Sequence, residues 1–408
     1  MKFLVNIARI LVGGLFIFSG LVKAIDPLGL SYKMEEFFEV WAAEKYLPSL
    51  MNWFHGHSYL FSVIMITLEV AVGVALLVGW KKKWSLSILL LLIVFFTFLT
   101  SYVLFSGKIR ACGCFGDCIP LTPIQTFSKD IILLLLVILL LVKQKYINPI
   151  FKDPIPLILV SLATVGTIFL QVYVVKHLPL KDCLPFKVGN DILKLRKMPE
   201  GAIPDKYDFV FTYKKGTEKK DFTMNNLPDS TWEYVDRKQV LIQKGKNNIP
   251  LINDFTFTTT NSVFTYEKDG NAAEYSMNEI PDSSWTFVER KEVSADSTEA
   301  ILGQPGEYYI LYVRDISKFP SGWETDHTLI NNVLTKGKRI YVVTADRKKA
   351  EDRYNLKDKK EKANVSVFSC DATALKTVSR NNITLYLMKG PIVQNKWGGE
   401  DIIKALDK

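Results

Sequence analysis

The chain has 408 residues, of which 48% are hydrophobic and 23% charged, with mean hydropathy +0.12 and net charge +9. That length suffices for two or three domains. The averages hide a division: up to about residue 177 long apolar runs dominate, and beyond it the chain is polar and turn-rich. This excludes a wholly soluble enzyme as well as a disordered or collagen-like chain. Residues 1–180 carry 15 Lys and Arg against 9 Asp and Glu, so most of the positive excess (+6 of +9) lies in the membrane half. No basic tract with interleaved aromatics occurs in the polar half, so no nucleic-acid partner is expected.

Five membrane spans are expected: about Phe3–Ile25, Tyr59–Trp80, Trp84–Ser106, Ile131–Val142 extended by its flanks, and Ile155–Val175. The fourth apolar core is short for a hydrocarbon layer of about 30 Å. The first run is too long for a signal-peptide core, and Val22-Lys23-Ala24 is not a small-x-small cleavage site. It is read as a retained helix. Lys81, Lys82 and Lys83 follow the second span, and Lys143, Lys145 and Lys152 lie between the fourth and fifth. Basic loops face the cytoplasm, which puts the N-terminus inside. Residues 26–58, residues 107–129 and the polar half then face outward, toward the periplasm if the membrane is a bacterial inner membrane.

Glu69 lies near the middle of the second span. A charge there costs at least a few kcal/mol unless it is paired, protonated or hydrated. Two readings stand: a proton-handling or anchoring group, or a structural carboxyl bonded to a neighbouring helix. Lys23 is the candidate partner. Its position at the outer end of the first span implies a depth mismatch of roughly 12 Å at 1.5 Å per residue.

The five cysteines are Cys112, Cys114, Cys118, Cys183 and Cys370. The first three crowd into Ala111-Cys112-Gly113-Cys114-Phe115-Gly116-Asp117-Cys118, at the outer mouth of spans three and four. Two of them would serve as a cycling dithiol, with Lys108 and Arg110 favouring thiolate. Three thiolates with His55 or His57 would bind zinc, although C-x-C-x3-C lacks the usual C-x2-C knuckle, and no metal is assigned. A plain structural disulfide is the third reading. A C-x-C bridge is strained, so Cys112–Cys118 or Cys114–Cys118 is the expected structural pair. The site residues carried forward are Cys112, Cys114, Cys118 and Glu69.

The run Cys112-Gly113-Cys114-Phe115-Gly116 before a span resembles the signature of the MauE branch of the DoxX-like membrane proteins. Gly14-Leu15-Phe16-Ile17-Phe18-Ser19-Gly20-Leu21-Val22-Lys23 is similar to the first helix of that group, and Glu69, Gly73 and Leu76 to its second. The likeness covers about residues 5–145. It implies a compact four-helix membrane protein tied to periplasmic disulfide maturation.

A linker with Pro179, Pro185, Pro199 and Pro204 follows. Then Phe211-Thr212-Tyr213 recurs as Phe264-Thr265-Tyr266, Pro228-Asp229-Ser230 as Pro281-Asp282-Ser283, and Trp232 as Trp285, all at an offset of 53. Each unit reads as three strands, with the Trp and Tyr side chains expected in its core. From about Gly306 the pattern becomes strand, helix, strand: Tyr308–Val313, Trp323–Leu334 and Arg339–Thr344, then strands Val365–Phe368, Thr384–Met388 and Ile392–Trp397 and a helix near Glu400. With Ile383-Thr384-Leu385-Tyr386-Leu387-Met388-Lys389-Gly390, this order resembles a thioredoxin-like fold over about residues 300–408. The stretch Asp315–Trp323 lacks the C-x-x-C of that fold, and Ile383 stands where it has a cis-proline. The resemblance therefore implies a binding domain without thiol chemistry, and Cys370 is expected to be a buried thiol.

The expected fold is multi-domain: a transmembrane bundle with a four-helix DoxX/MauE-like core (1–147), a fifth helix (148–178), a linker (179–205), a tandem β-rich repeat (206–299) and a degenerate thioredoxin-like α/β domain (300–408). No P-loop, G-x-G-x-x-G, H-E-x-x-H or G-x-S-x-G occurs. Two functions are open. One is thiol-disulfide exchange with a partner thiol, with a membrane quinone as candidate acceptor. The other is a non-enzymatic membrane scaffold or assembly factor whose polar domains hold a periplasmic protein partner.

Overall fold

The structure is a computed structural model that describes residues 1–109, 113, 115–243, 245–276, 281–318, 330, 333, 337–353, 365–402 and 405. The chain forms two compact units. One comprises Met1–Lys187, Glu307–Met388 and Gln394–Lys408, and the other Val188–Gly306 with Lys389–Val393.

The first unit begins with α1 (Lys2–Ala24), α2 (Pro27–Ala43), α3 (Pro48–Gly56), α4 (Ser58–Val78), α5 (Lys82–Ser106), α6 (Pro123–Val142) and α7 (Ile155–Lys176). Five of these, α1, α4, α5, α6 and α7, are long and apolar enough to cross a membrane. Their burial follows the helical period. On α5, Leu86, Leu89, Ile93, Phe96, Thr100 and Val103 face the core, while Leu91, Val94, Phe98 and Phe105 are exposed. Apolar side chains on both faces are what a lipid solvent requires.

The fourth span reaches full length because α6 starts at Pro123. Thr122 and Gln125 form a reciprocal capping box. Lys129 and Asp130 therefore lie inside the helix, paired with each other. Residues 26–58, between the first two spans, contain α2 and α3. The Asp26 side chain caps α2, Pro27 sits in its first turn, and Leu30, Met34, Phe37 and Phe38 are buried on one face. On α7, Gln171 donates to Thr67 Oγ1 of α4 at 3.0 Å, a polar tether between otherwise apolar helices.

The same unit carries strands β7 (Glu307–Val313), β8 (Arg339–Thr344), β9 (Val365–Ser369), β10 (Ile383–Lys389) and β11 (Ile392–Gly398). Their order across the sheet is β11-β10-β7-β8-β9, with β7, β8 and β9 parallel. The first strand thus sits mid-sheet, and β7 and β8 are almost wholly buried, as expected for parallel strands covered on both faces. Helix Ala372–Val378 leads into β10. The expected helix Trp323–Leu334 lies largely outside the described residues, and the expected terminal helix begins as the single turn Gly399–Ile402.

The second unit holds two antiparallel three-stranded modules, with the long central strand β1 (Lys206–Lys215) flanked by β2 (Glu218–Thr223) and β3 (Glu233–Gln243), and β4 (Thr258–Lys268) flanked by β5 (Asn271–Ser276) and β6 (Thr286–Asp296). Both pairings of the central strand with the third strand carry an irregularity at Thr212/Tyr213 and at Thr265/Tyr266. The expectation that the aromatics form a buried core needs correction. Phe222 packs edge-on to Tyr213 and Trp232, and Tyr275 to Tyr266 and Trp285, yet all these rings remain partly exposed. A single three-stranded module has no opposing layer to bury them, so they form cross-strand ladders instead.

Candidate functional site

The register of α1 against α4 is set by small residues. A Cβ on Gly20 would lie 2.6 Å from Val70, one on Gly73 would lie 2.8 Å from Ile17, and one on Gly13 would lie 2.7 Å from Leu77. These contacts lock the antiparallel helices into one axial alignment. Arg9 reinforces it near the C-terminal end of α4. Its Nε and Nη2 donate to the Leu76 and Leu77 carbonyls at 2.8 and 2.6 Å, and its Nη1 to Asn148 O at 3.0 Å. A cation among the last carbonyls of α4 satisfies groups that the helix leaves open and complements its dipole.

In that alignment Lys23 meets Glu69 in a direct ion pair, 2% and 1% exposed. The depth mismatch inferred from the sequence is thereby corrected. The helices are staggered, with Gly20 level with Val70, so the C-terminal end of α1 lies beside the middle of α4. Lys23 Nζ also sits 4.4 Å from the centre of the Phe96 ring.

A second pair, with a buried carboxylate and a half-buried lysine, faces the first. Lys129 Nζ lies 2.7 Å from Asp130 Oδ1, and Thr100 Oγ1 donates to Asp130 Oδ2 at 3.1 Å. The two pairs line one small cavity with Ser19, Phe16, Phe96 and Phe115. It has room for about one water molecule. Phe115 belongs to the cysteine loop, and Lys129 Nζ is 4.7 Å from its ring centre. The loop thus supplies the outer wall of the charged cavity.

Of the expected site cysteines, Cys118 is disulfide-bonded to Cys183, with a Cα–Cα distance of 4.9 Å. This overturns the expected Cys112–Cys118 or Cys114–Cys118 structural pair. Spacing within the loop favoured a local bridge, whereas the fold brings in a residue 65 positions away. Cys112 and Cys114 lie outside the described residues. Cys370 is buried and takes part in no disulfide. His55 pairs with Glu39 at 2.8 Å and His57 with the Trp53 carbonyl at 2.8 Å. Among the described residues no group of three or more His, Cys, Asp and Glu side chains is placed to hold a metal ion.

Beside the loop, Glu44 accepts from Lys108 and, at 2.9 Å, from the Tyr102 hydroxyl. The hydrogen bond from Lys108, then that from Tyr102, hold its carboxyl below the usual range. Beside the start of α2, Arg380 reaches Asp26 and Asp117, and Lys376 reaches Glu35.

Sequence reasoning found Glu69, Lys23 and the cysteine loop. It missed Asp130 and Lys129, although Ser128-Lys129-Asp130 stands directly before the apolar run and extending the span by one turn would have enclosed it. It also missed Cys183 as the partner of Cys118, and Arg380, which no local signal marks.

Residues 1–143 match the family described as methylamine utilisation protein MauE. Residues 207–244 and 260–294 match a family described as Domain of unknown function (DUF8463). Protein TlpB of Flavobacterium psychrophilum is 29% identical over 198 residues, which are 45% of this chain and 50% of that protein. The chain therefore spans about half the length of the curated relative it matches. No solved structure matches.

Proposed function

From the premise that its N-terminal membrane domain is MauE-like, we propose that this multi-pass membrane protein carries out thiol-disulfide exchange in the maturation of proteins on the outer face of a bacterial inner membrane. The observation that carries the reading is the buried cavity lined by Lys23–Glu69 and Lys129–Asp130 and walled by Phe115 of the cysteine loop. Two ion pairs inside a bundle are costly as mere glue, and such groups mark proton or ligand pathways by default.

Five cysteines, less the Cys118–Cys183 bridge and buried Cys370, leave Cys112 and Cys114 as the exchanging pair. Their C-x-C spacing makes a disulfide between them strained and therefore oxidising. A client dithiol reduces it: the client gains an S–S bond, and the loop gains two S–H bonds. Reoxidation delivers two electrons and two protons to a membrane quinone, for which no seat is assigned. Glu69, with Lys23, and the facing Lys129–Asp130 pair accept and pass on the protons released by the loop. The Cys118–Cys183 bridge joins two segments that share the outer side under an N-inside topology, which supports an oxidising outer compartment. The two three-stranded modules, as tandem copies, and residues 307–408, as a thioredoxin-like domain, would engage the client.

Thiol trapping of the membrane-reconstituted protein tests this. With a reduced client and a quinone, Cys112 and Cys114 are expected to alternate between alkylated and protected forms. If both residues stay in one state under all conditions, or if Ser at both positions leaves client maturation intact, the redox reading fails. The scaffold reading then stands, favoured by a C-terminal domain with no cysteine in Asp315–Trp323, where the reactive pair would stand.

A further inference from the structure

We propose that the outer mouth of the bundle is a seat shaped for a thioredoxin-like face, and that this chain occupies it with its own α/β domain, which lacks the C-x-x-C pair and caps the cysteine loop. The inference deepens the proposed function and rests on its reading of residues 307–408 as thioredoxin-like.

The contact is made by one end of the sheet. Arg314 and Asp315 follow β7, where a thioredoxin-like domain carries C-x-x-C, and Asn382 immediately precedes Ile383, which stands where it carries the cis-proline. These two places are joined to each other. The Arg314 N–H donates to Asn382 O at 2.9 Å, the Asp315 N–H donates to Asn382 Oδ1 at 2.9 Å, and Asn382 Nδ2 donates to Asp315 O at 3.0 Å. The end thus formed lies on Tyr32 of α2. The charged groups of Arg314, Lys376 and Arg380 stand 5.3, 5.4 and 5.4 Å from that one ring centre. A cation over an aromatic face gains most where water is excluded.

Ion pairs complete the seat, with the bundle supplying carboxylates and the α/β domain cations. Arg380, 5% exposed, donates Nε to Asp26 at 2.8 Å and Nη2 to Asp117 at 2.7 Å, while its Nη1 donates to Lys376 O at 2.8 Å. Lys376 Nζ reaches Glu35 at 2.6 Å. The planar guanidinium, with donors pointing in three directions, is the group suited to bridging two separate segments of the bundle. Asp26 is the cap of α2, so the clamp grips the start of that helix. Asp117 is next to Cys118 in sequence, so the same clamp fixes the cysteine loop. Crowding of cations shows in Arg314, whose pKa burial and then neighbouring Arg380 lower to about 10.

Hydrogen exchange of the full-length protein in nanodiscs tests the seat. Arg380→Ala leaves two carboxylates unpaired, and amides in 26–38 and 115–118 are expected to exchange at least about tenfold faster, with α4 unchanged as internal control. Lys376→Glu should act in the same direction, and adding Glu35→Lys should restore protection by exchanging the two charges. Wild-type exchange in both single variants would overturn the proposal, as would failure of the charge exchange to restore protection. Thiol cycling plays no part in this readout, so the cap and the redox reading stand or fall separately.

Discussion

Two regions of this molecule bury charge, and they do it differently. Inside the bundle, Glu69 and Asp130 are each 1% exposed and share one small cavity with Phe16, Phe96 and Phe115, while Lys129 is 22% exposed. Beside the start of α2, Arg380 is buried but its partner Asp117 is 44% exposed. The first arrangement has little room to relax, because its carboxylates have almost no contact with solvent. The second can hydrate when it opens. Internal pairs of this kind are suited to holding or moving protons, and mouth pairs to fastening something that lifts.

The sharpest way to break the comparison is at Glu69. Glu69→Gln leaves Lys23 uncompensated and should destabilise the bundle by about 3–5 kcal/mol, read as a lowered melting temperature in detergent. The double variant Lys23→Met with Glu69→Leu should recover most of that stability, as apolar replacements of buried pairs do. Thiol cycling should still be lost in it. Retained cycling would reduce both residues to structural glue.

At the clamp, Asp26→Ala should cost more than Asp117→Ala, because Asp26 is less exposed and its side chain also caps α2, a role that Asn would keep. About 1–2 kcal/mol against under 1 kcal/mol is expected in chemical denaturation. Equal effects would mean that the clamp does not depend on the cap. Gln171→Leu removes the tether from α7 to Thr67 and should cost about 0.6 kcal/mol, measured by denaturation in bicelles.

The smallest effect concerns Glu44. Its pKa in the folded protein is lowered from the ordinary 4.5, first by the hydrogen bond from Lys108. Stability from this group is thus fully present above that ordinary value and is lost as pH falls through the lower folded value. A Glu44→Gln variant should show a flatter acid limb in a stability–pH profile. An unchanged limb would remove the Lys108–Glu44 contact from the account of how the loop is anchored.

Much of the fold was legible. The membrane spans, the strands after residue 306 and the turns of the three-stranded units followed from hydropathy and turn residues, because those signals are local. The outer helix α2 was also legible in hindsight, from Asp26-Pro27 and the spacing of Leu30, Met34, Phe37 and Phe38. The site was legible only in part. Glu69 stood out because a charge in an apolar run is conspicuous, while Asp130 was hidden at the edge of a span drawn too short. The pairing of the loop cysteines was misjudged because spacing reports only local partners.

By itself the sequence determined that the chain enters a membrane, that its cysteines cluster beside one span and that the domain after residue 306 has no cysteine pair to react with. These are statements about composition and short-range order, and solvation decides them. Only the tertiary structure decided that glycine contacts stagger α1 against α4 until Lys23 meets Glu69, that Cys118 bonds Cys183, and that Arg380 joins Asp26 to Asp117. Each of those depends on which segments lie side by side. That choice is made by packing and charge complementarity between residues as far as 354 positions apart, at which range the sequence carries no mark of its partner.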